Sequence, residues 1–440
     1  MTSPDDGVAA GSTFSDPDVP PANAQVFELE AGAELRIEAA PEDVAYFRLS
    51  HGNAELFGTE LSIGKTHAIG NNASVGIFTW YGARVHVWGS SQVVYATIET
   101  PMAEYINLHA QLERARATDK SPRVMVVGAG ECGKSTLCRI LLSYAVRAGH
   151  QPVFVDLDVS HNDVAVPGTV AASSILHPFD AVHGLKARVP IVYFYGHSSP
   201  AENVDHYSEC VAELCNAVGR RLDAHADERR AGVIINTCGW VDGQGYELLL
   251  RTIADMHVTH IVVLGQDRLH AQLQQELRNV VVTKVAKSGG VVNRTPSTKR
   301  KQSQARFRYY FYGPGLDLCP HLTVLKWHNV GIYQVGGTAQ VPSTMLPIGG
   351  ERQLETSKVE PVTPTNDFTG SILAVSQATC PEDLLKASVA GFVYVSGVDT
   401  VKKTLQILSP CPGPLPANCL LFGSLKWSEG ALNPALGRKL

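Results

Sequence analysis

The stretch Gly128-Ala-Gly-Glu-Cys-Gly133-Lys134-Ser135-Thr136 constrains this chain more than any other. It follows Arg123-Val124-Met125-Val126-Val127, an apolar run with the length of a buried strand, and it opens a helical stretch from Lys134 to Ala148 that Gly149 stops. Strand, G-x-x-x-x-G-K-[ST] loop and helix, in that order, make a phosphate-binding loop. The glycines let backbone N–H groups turn inward around phosphate oxygens, and the positive end of the helix dipole adds to the same place. Lys134 would reach the β- and γ-phosphates, and the Ser135 hydroxyl would ligate Mg2+.

From Pro122 to about Gly313, strands alternate with helices, which predicts a parallel sheet covered on both faces. Its further strands are read at 152–158, 232–237 and 260–264, with a helix carrying Cys210, Val211, Leu214, Cys215 and Val218 between the first two. The chain on either side has a different texture. Residues 25–101 alternate apolar and polar in short runs, as a small β-sandwich does. An acidic tail, 1–24, precedes them, and a helical linker, 102–120, follows with Tyr105, Leu108, Leu112 and Ala115 as its apolar stripe. Residues 314–440 are again strand-like. The expected fold is therefore α/β: a central P-loop NTPase parallel sheet over 121–313, flanked by an N-terminal β-sandwich and a small, mainly β C-terminal domain.

The 440 residues suit two to four domains, and 44% hydrophobic against 18% charged residues supplies their cores. Nine scattered cysteines with no Cys-x-x-Cys pair argue for a reducing compartment and against structural zinc. No secretory signal and no membrane-length apolar run is read in the sequence. With 37 Lys+Arg against 42 Asp+Glu, binding to nucleic acid by bulk positive charge is excluded, although a local patch is not.

Either Asp156 or Asp158 could hold Mg2+ or accept a proton from an attacking hydroxyl, because the carboxyl ends of strands face the ligand crevice. Asp158 lies nearer that crevice, and Asp156 reads as a supporting or solvated carboxylate. No Asn-Lys-x-Asp guanine-reading sequence follows the later strands. A basic stretch does follow, with Lys284, Lys287, Arg294, Lys299, Arg300, Lys301, Arg306 and Arg308 after or around the Gly289-Gly290 pair. It reads either as a lid over transferring phosphates, about 287–308, or as a solvated basic helix or nuclear-import patch.

Residues 25–438 resemble the Clp-type subunit of the eukaryotic mRNA cleavage factor, the polyribonucleotide 5′-hydroxyl-kinase family. The resemblance is carried by Phe27-Glu-Leu-Glu, Glu55-Leu-Phe-Gly-Thr-Glu-Leu, Phe78-Thr-Trp, the loop from Gly133 onward, Val166-Pro-Gly-Thr, Asn236-Thr-Cys-Gly-Trp240, Lys287-Ser-Gly-Gly-Val-Val, Tyr310-Phe-Tyr-Gly and Pro361-Val-Thr-Pro. It implies ATP and Mg2+ as cofactors, RNA and another cleavage-factor subunit with a polymerase-tail-reading domain as partners, a larger cleavage and polyadenylation complex, and the nucleus. Residue by residue, it implies adenine contact by Glu34, with Ser74 at the usual lysine position. It also implies phosphate contact by Gly128 and by Glu131, Cys132, Gly133, Lys134, Ser135 and Thr136. Trp240 would stack on an RNA base, Ser198 and Ser199 would lie near the RNA phosphates, and Arg294 and Lys299 would serve as the lid cations.

The departures are local. Active members read Asp-Val-Gly-Gln-Gly where this chain has Asp158-Val159-Ser160-His161-Asn162, and the second lid arginine is Lys299, which lacks the bidentate fork. Two readings follow. In one, an ATP-binding 3′-end-processing component phosphorylates RNA 5′-hydroxyl ends, with Lys134, Asp158, Arg294 and Lys299 catalytic and Ser135 and Asp158 on the metal. In the other, ATP is a structural ligand and the protein is a scaffold that docks another cleavage-factor subunit.

Overall fold

The computed structural model describes residues 20–40, 43–70, 73–181, 183–335 and 359–428. The expected tail at 1–24 falls largely outside them. The chain divides into two compact units, residues 1–56 with 60–100, and residues 57–59 with 101–440.

In the first unit, one sheet orders Gln25–Leu29, Ala83–Gly89, Val44–Gly52 and Thr66–Gly70 as neighbours. In the second, Glu55–Leu56, Ser74–Phe78, Glu34–Ala39 and Ser91–Thr97 succeed one another. Alternation sets the faces: Ala45, Phe47 and Leu49 of one strand and Val85 and Val87 of the next are buried, while the residues between them are less so. The strand Ala83–Gly89 goes unread in the sequence because Arg84, His86 and Trp88 interrupt its short apolar side chains.

The second unit begins with the helix Met102–Ala117. It is no free connector: Glu104 accepts from the Ala286 N–H at 2.7 Å, and Arg116 donates to the Ala231 carbonyl at 2.8 Å. Arg116, rather than Ala115, completes the buried stripe, because its guanidinium meets a partner when it leaves water.

The central sheet runs in the order Ala187–Phe194, Thr169–Ile175, Val153–Asp156, Val233–Asn236, Arg123–Val127, His260–Leu264, Val281–Val285. The last five are mutually parallel, and the first two are antiparallel additions. The expected wholly parallel sheet is thus a mixed one. No crossover helix lies between Asp156 and Thr169; Asn162 knots that turn instead, donating to the Asp156 and Thr169 carbonyls and accepting from the N–H groups of Val164 and Ala165. A chain that turns back without a crossover must pair antiparallel.

Beyond it, His321–Lys326, Thr404–Ser409, Val389–Asp399, Ser371–Ser376, Cys419–Lys426, Gly331–Val335 and Val359–Pro361 form a seven-stranded sheet. The helix Pro296–Tyr312 is rooted there by Phe307 and Phe311, both buried, with Phe311 stacked on Trp427 at 5.2 Å. Only its first half carries the exposed basic residues, so the reading of a wholly solvated basic helix fails for its second half. Among the described residues, all nine cysteines are free, and no helix is long and apolar enough to cross a membrane.

Candidate functional site

The loop leaves Val127 at the centre of the parallel strands and enters the helix Lys134–Arg147 through Gly133, whose φ of 96° is left-handed. A neighbouring turn approaches closely: a Cβ on Gly239 would stand 2.5 Å from the Gly130 nitrogen, so only glycine fits there. Lys134 is buried, and its ammonium donates to the carbonyls of Gly128 at 3.0 Å and Ala129 at 2.7 Å. It curls over the loop at the place a phosphate would take. Thr136, the third residue of the helix, is half-buried.

Sheet register assembles the other side of the crevice. Asp156 and Val126 both stand level with Asn236 on neighbouring strands. The Asn236 amide donates to Asp156 Oδ1 at 2.9 Å and to Ser135 Oγ at 3.3 Å, so it joins the loop serine to the carboxylate. Asp156 also accepts from the N–H groups of Asp158 at 3.1 Å and Asp163 at 2.7 Å. It is fully buried, not solvated. That burial, with the charges of Asp163 and Asp158 nearby, pushes its carboxyl up to about 8. Burial would raise Asp163 as well, but the Arg139 fork, bonded to it at 2.9 and 2.8 Å, holds it below its ordinary value.

Asp158 is half-buried, and its Oδ1 accepts from Ser160 N–H and Oγ–H. It shares a locality with Lys134: both charges act on the Cys238 thiol, which burial pushes up. Asn236, which joins Ser135 to Asp156, is the site residue that single-residue reading missed; its signal was a polar residue ending the apolar run Val233-Ile-Ile.

The segment 286–295 then covers the loop. Val291 Cγ2 would stand 3.3 Å from a Cβ on Gly133. Lys299 pairs with Glu131 at 3.0 Å, and Glu131 itself sits at a left-handed φ of 55°. Burial would raise the Glu131 carboxyl, but Lys299 and the Arg294 backbone hold it low. Arg294 is exposed, within the field of Glu131 and Asp163. Arg306 ties the same helix to the Asn162 carbonyl at 2.9 Å. The structure therefore brings Lys134, Ser135, Asp158, Arg294 and Lys299 to one crevice, with Lys299 engaged by a loop carboxylate.

Ser198 and Ser199 are taken by Glu202, which accepts from both N–H groups and from the Ser198 hydroxyl, each at 3.0 Å. Among the described residues no bond runs from either to the loop. Trp240 is half-buried in the turn beside Gly245, where a Cβ would come within 2.6 Å of its ring; no described ring stacks on it. In the first unit, Glu34 is buried and accepts from Arg36 Nε at 3.1 Å and from Thr100 Oγ1. It faces Phe78 across the ladder, whereas Ser74 faces Glu38, so the two stand four residues apart along it.

Three family profiles cover most of the chain. Residues 28–119 match the N-terminal beta-sandwich domain of polyadenylation factor, 128–313 the mRNA cleavage and polyadenylation factor CLP1 P-loop, and 318–429 the pre-mRNA cleavage complex II protein Clp1. The polyribonucleotide 5′-hydroxyl-kinase Clp1 of Homo sapiens is 39% identical over 410 residues, covering 92% of this chain and 96% of that protein. The CLP1 homolog of Arabidopsis thaliana is 38% identical over 423 residues, covering 93% and 95%. A solved wild-type Clp1p–Pcf11p complex shares the fold with a TM-score of 0.79 at 23% identity, covering 93% of this chain and 99% of that one. A second Clp1p–Pcf11p structure, concerned with an extended interface and ATP loss in a point mutant, gives 0.81 at 24%, covering 92% and 99%.

Proposed function

From the premise that this chain belongs to the Clp1 family of mRNA cleavage and polyadenylation factors, we propose that it is an ATP-binding component of pre-mRNA 3′-end processing, acting in the nucleus, and that it phosphorylates RNA 5′-hydroxyl ends. The observation that supports transfer best is that Lys134 on the loop and Asp158 across the crevice lie close enough for both charges to act on the Cys238 thiol, one to hold phosphate and the other to take a proton.

Lys134 exchanges the Gly128 and Ala129 carbonyls for β- and γ-phosphate oxygens, while loop N–H groups hold the rest. The oxygen donors Ser135 and Asp156, joined by Asn236, suit a hard cation. Ser135, with Asp158 or Asp156, would hold Mg2+, which supplies charge neutralisation on the phosphates when bound. Asp158 accepts the proton of the RNA 5′-hydroxyl as that oxygen bonds to the γ-phosphorus. The bond to the bridging oxygen breaks, and ADP leaves with the electron pair. Arg294, and Lys299 once released from Glu131, stabilise the charge on the phosphoryl in flight.

Full-length protein with γ-labelled ATP should label a 5′-hydroxyl oligoribonucleotide and leave a 5′-phosphorylated one unlabelled. The scaffold reading, in which ATP is structural and the chain docks a second cleavage-factor subunit, is favoured by the Lys299–Glu131 pair. No labelling, with nucleotide that co-purifies and resists exchange, would decide for it.

A further inference from the structure

The turn after Asp158 contains a hydrogen-bonded chain that a phosphate-binding loop does not require. Asp158 Oδ1 accepts from the Ser160 backbone N–H at 3.0 Å and from its hydroxyl at 2.6 Å. The same hydroxyl oxygen stands 2.9 Å from His161 Nδ1. A serine hydroxyl has one proton, and Asp158 Oδ1, which already takes the backbone N–H, is an acceptor. The proton therefore lies toward Asp158, and His161 Nδ1 must be the donor to Ser160.

The other ring nitrogen agrees. His161 Nε2 is buried without a hydrogen-bond partner among the described residues. An N–H there would be stranded, so the ring is neutral, with its proton on Nδ1. Burial, acting with Arg294 and Lys299 against Asp158 and Asp163, also lowers the tendency of His161 to charge. Among the described residues, no bond falls on Asp158 Oδ2.

We propose that Ser160 and His161 are positioning residues: His161 Nδ1–H holds Ser160 Oγ, Ser160 O–H holds Asp158 Oδ1, and Asp158 Oδ2 is thereby left open to the proton of the attacking hydroxyl. This rests on the kinase reading above. The family pattern Asp-Val-Gly-Gln-Gly has no hydroxyl where Ser160 stands, so the relay belongs to this chain's own sequence. An oriented carboxylate needs no rearrangement when the hydroxyl arrives.

The test uses the full chain, ATP and a 5′-hydroxyl oligoribonucleotide. Ser160→Ala and His161→Ala should each lower kcat about tenfold with KM for ATP unchanged. His161→Asn places an amide nitrogen where Nδ1 stood and should return kcat to within about threefold, whereas His161→Gln, with its amide at the ε position, should not. Nitrogen NMR of the wild-type imidazole should report the Nδ1–H tautomer, and Ser160→Ala should change it. An Nε2–H tautomer in the wild type, rescue by glutamine rather than asparagine, or alanine variants as fast as wild type would each overturn the proposal. A wild type that transfers no phosphate contradicts the kinase reading and removes the positioning role with it; an active wild type with indifferent variants contradicts the positioning role alone.

Discussion

Two turns face each other across the crevice, and they are built differently. The loop Gly128–Thr136 works through its backbone: a left-handed Gly133 and the Gly128 and Ala129 carbonyls that hold the lysine. The turn Asp158–Asp163 works through side chains: Ser160 on Asp158, Asn162 knotting the chain, Arg139 on Asp163 and Asn236 on Asp156. A backbone device tolerates changes at the residues between its glycines. A side-chain device must be rewired when one member changes, and Ser160-His161 is such a rewiring.

The largest expected effect tests the loop. Lys134→Ala removes the ammonium that the loop carbonyls hold at the phosphate site, and ATP affinity should fall about 100-fold in calorimetry, the equivalent of about 3 kcal/mol. A drop under threefold would show that the backbone alone suffices. Arg139→Ala strikes the opposite turn. It strands the Asp163 carboxylate and removes the guanidinium from the Phe179 ring, 5.3 Å away. Denaturant melts should show a loss of about 3 kcal/mol, at the low end for buried pairs because Arg139 keeps some exposure.

Asp156 gives a pH test. Its folded carboxyl is raised to about 8, so between pH about 4 and 8 the unfolded chain has lost a proton that the fold retains. Stability is therefore lost as pH rises through that window. In nucleotide-free protein with chelator present, Asp156→Asn should gain in melting temperature relative to wild type as pH goes from 5 to 8. A constant difference would mean that Asp156 ionises normally. The smallest effect belongs to the loop again: Cys132→Val, a near-isosteric change at a buried side chain whose sulfur makes a weak 3.9 Å contact to Lys134, should change transfer less than about twofold.

What was legible in the sequence follows the same division. The phosphate loop could be read because its parts are adjacent in the chain, and the alternating texture of the flanks placed the sandwich and the C-terminal β region, with which the family resemblance agreed. The Asp156–Asn236–Ser135 cluster could not, because it arises from the register of strands some 80 residues apart. The strand Thr169–Ile175 was missed because alanines and serines make its buried surface, with Ser173 and Ser174 finding partners inside. The basic stretch was read as lid or solvated helix; its phenylalanines at the helical spacing Phe307 and Phe311 were the overlooked sign that one end is anchored.

The central claim, that the rewired turn still presents Asp158 as a proton acceptor, is tested most directly by comparing wild type with Asp158→Asn for transfer of labelled γ-phosphate to a 5′-hydroxyl oligoribonucleotide, with ATP binding measured on the same samples. Wild type should transfer steadily and the variant should lose at least about 100-fold, with ATP affinity within about threefold. Equal rates in the two proteins, or no transfer by either, would contradict it.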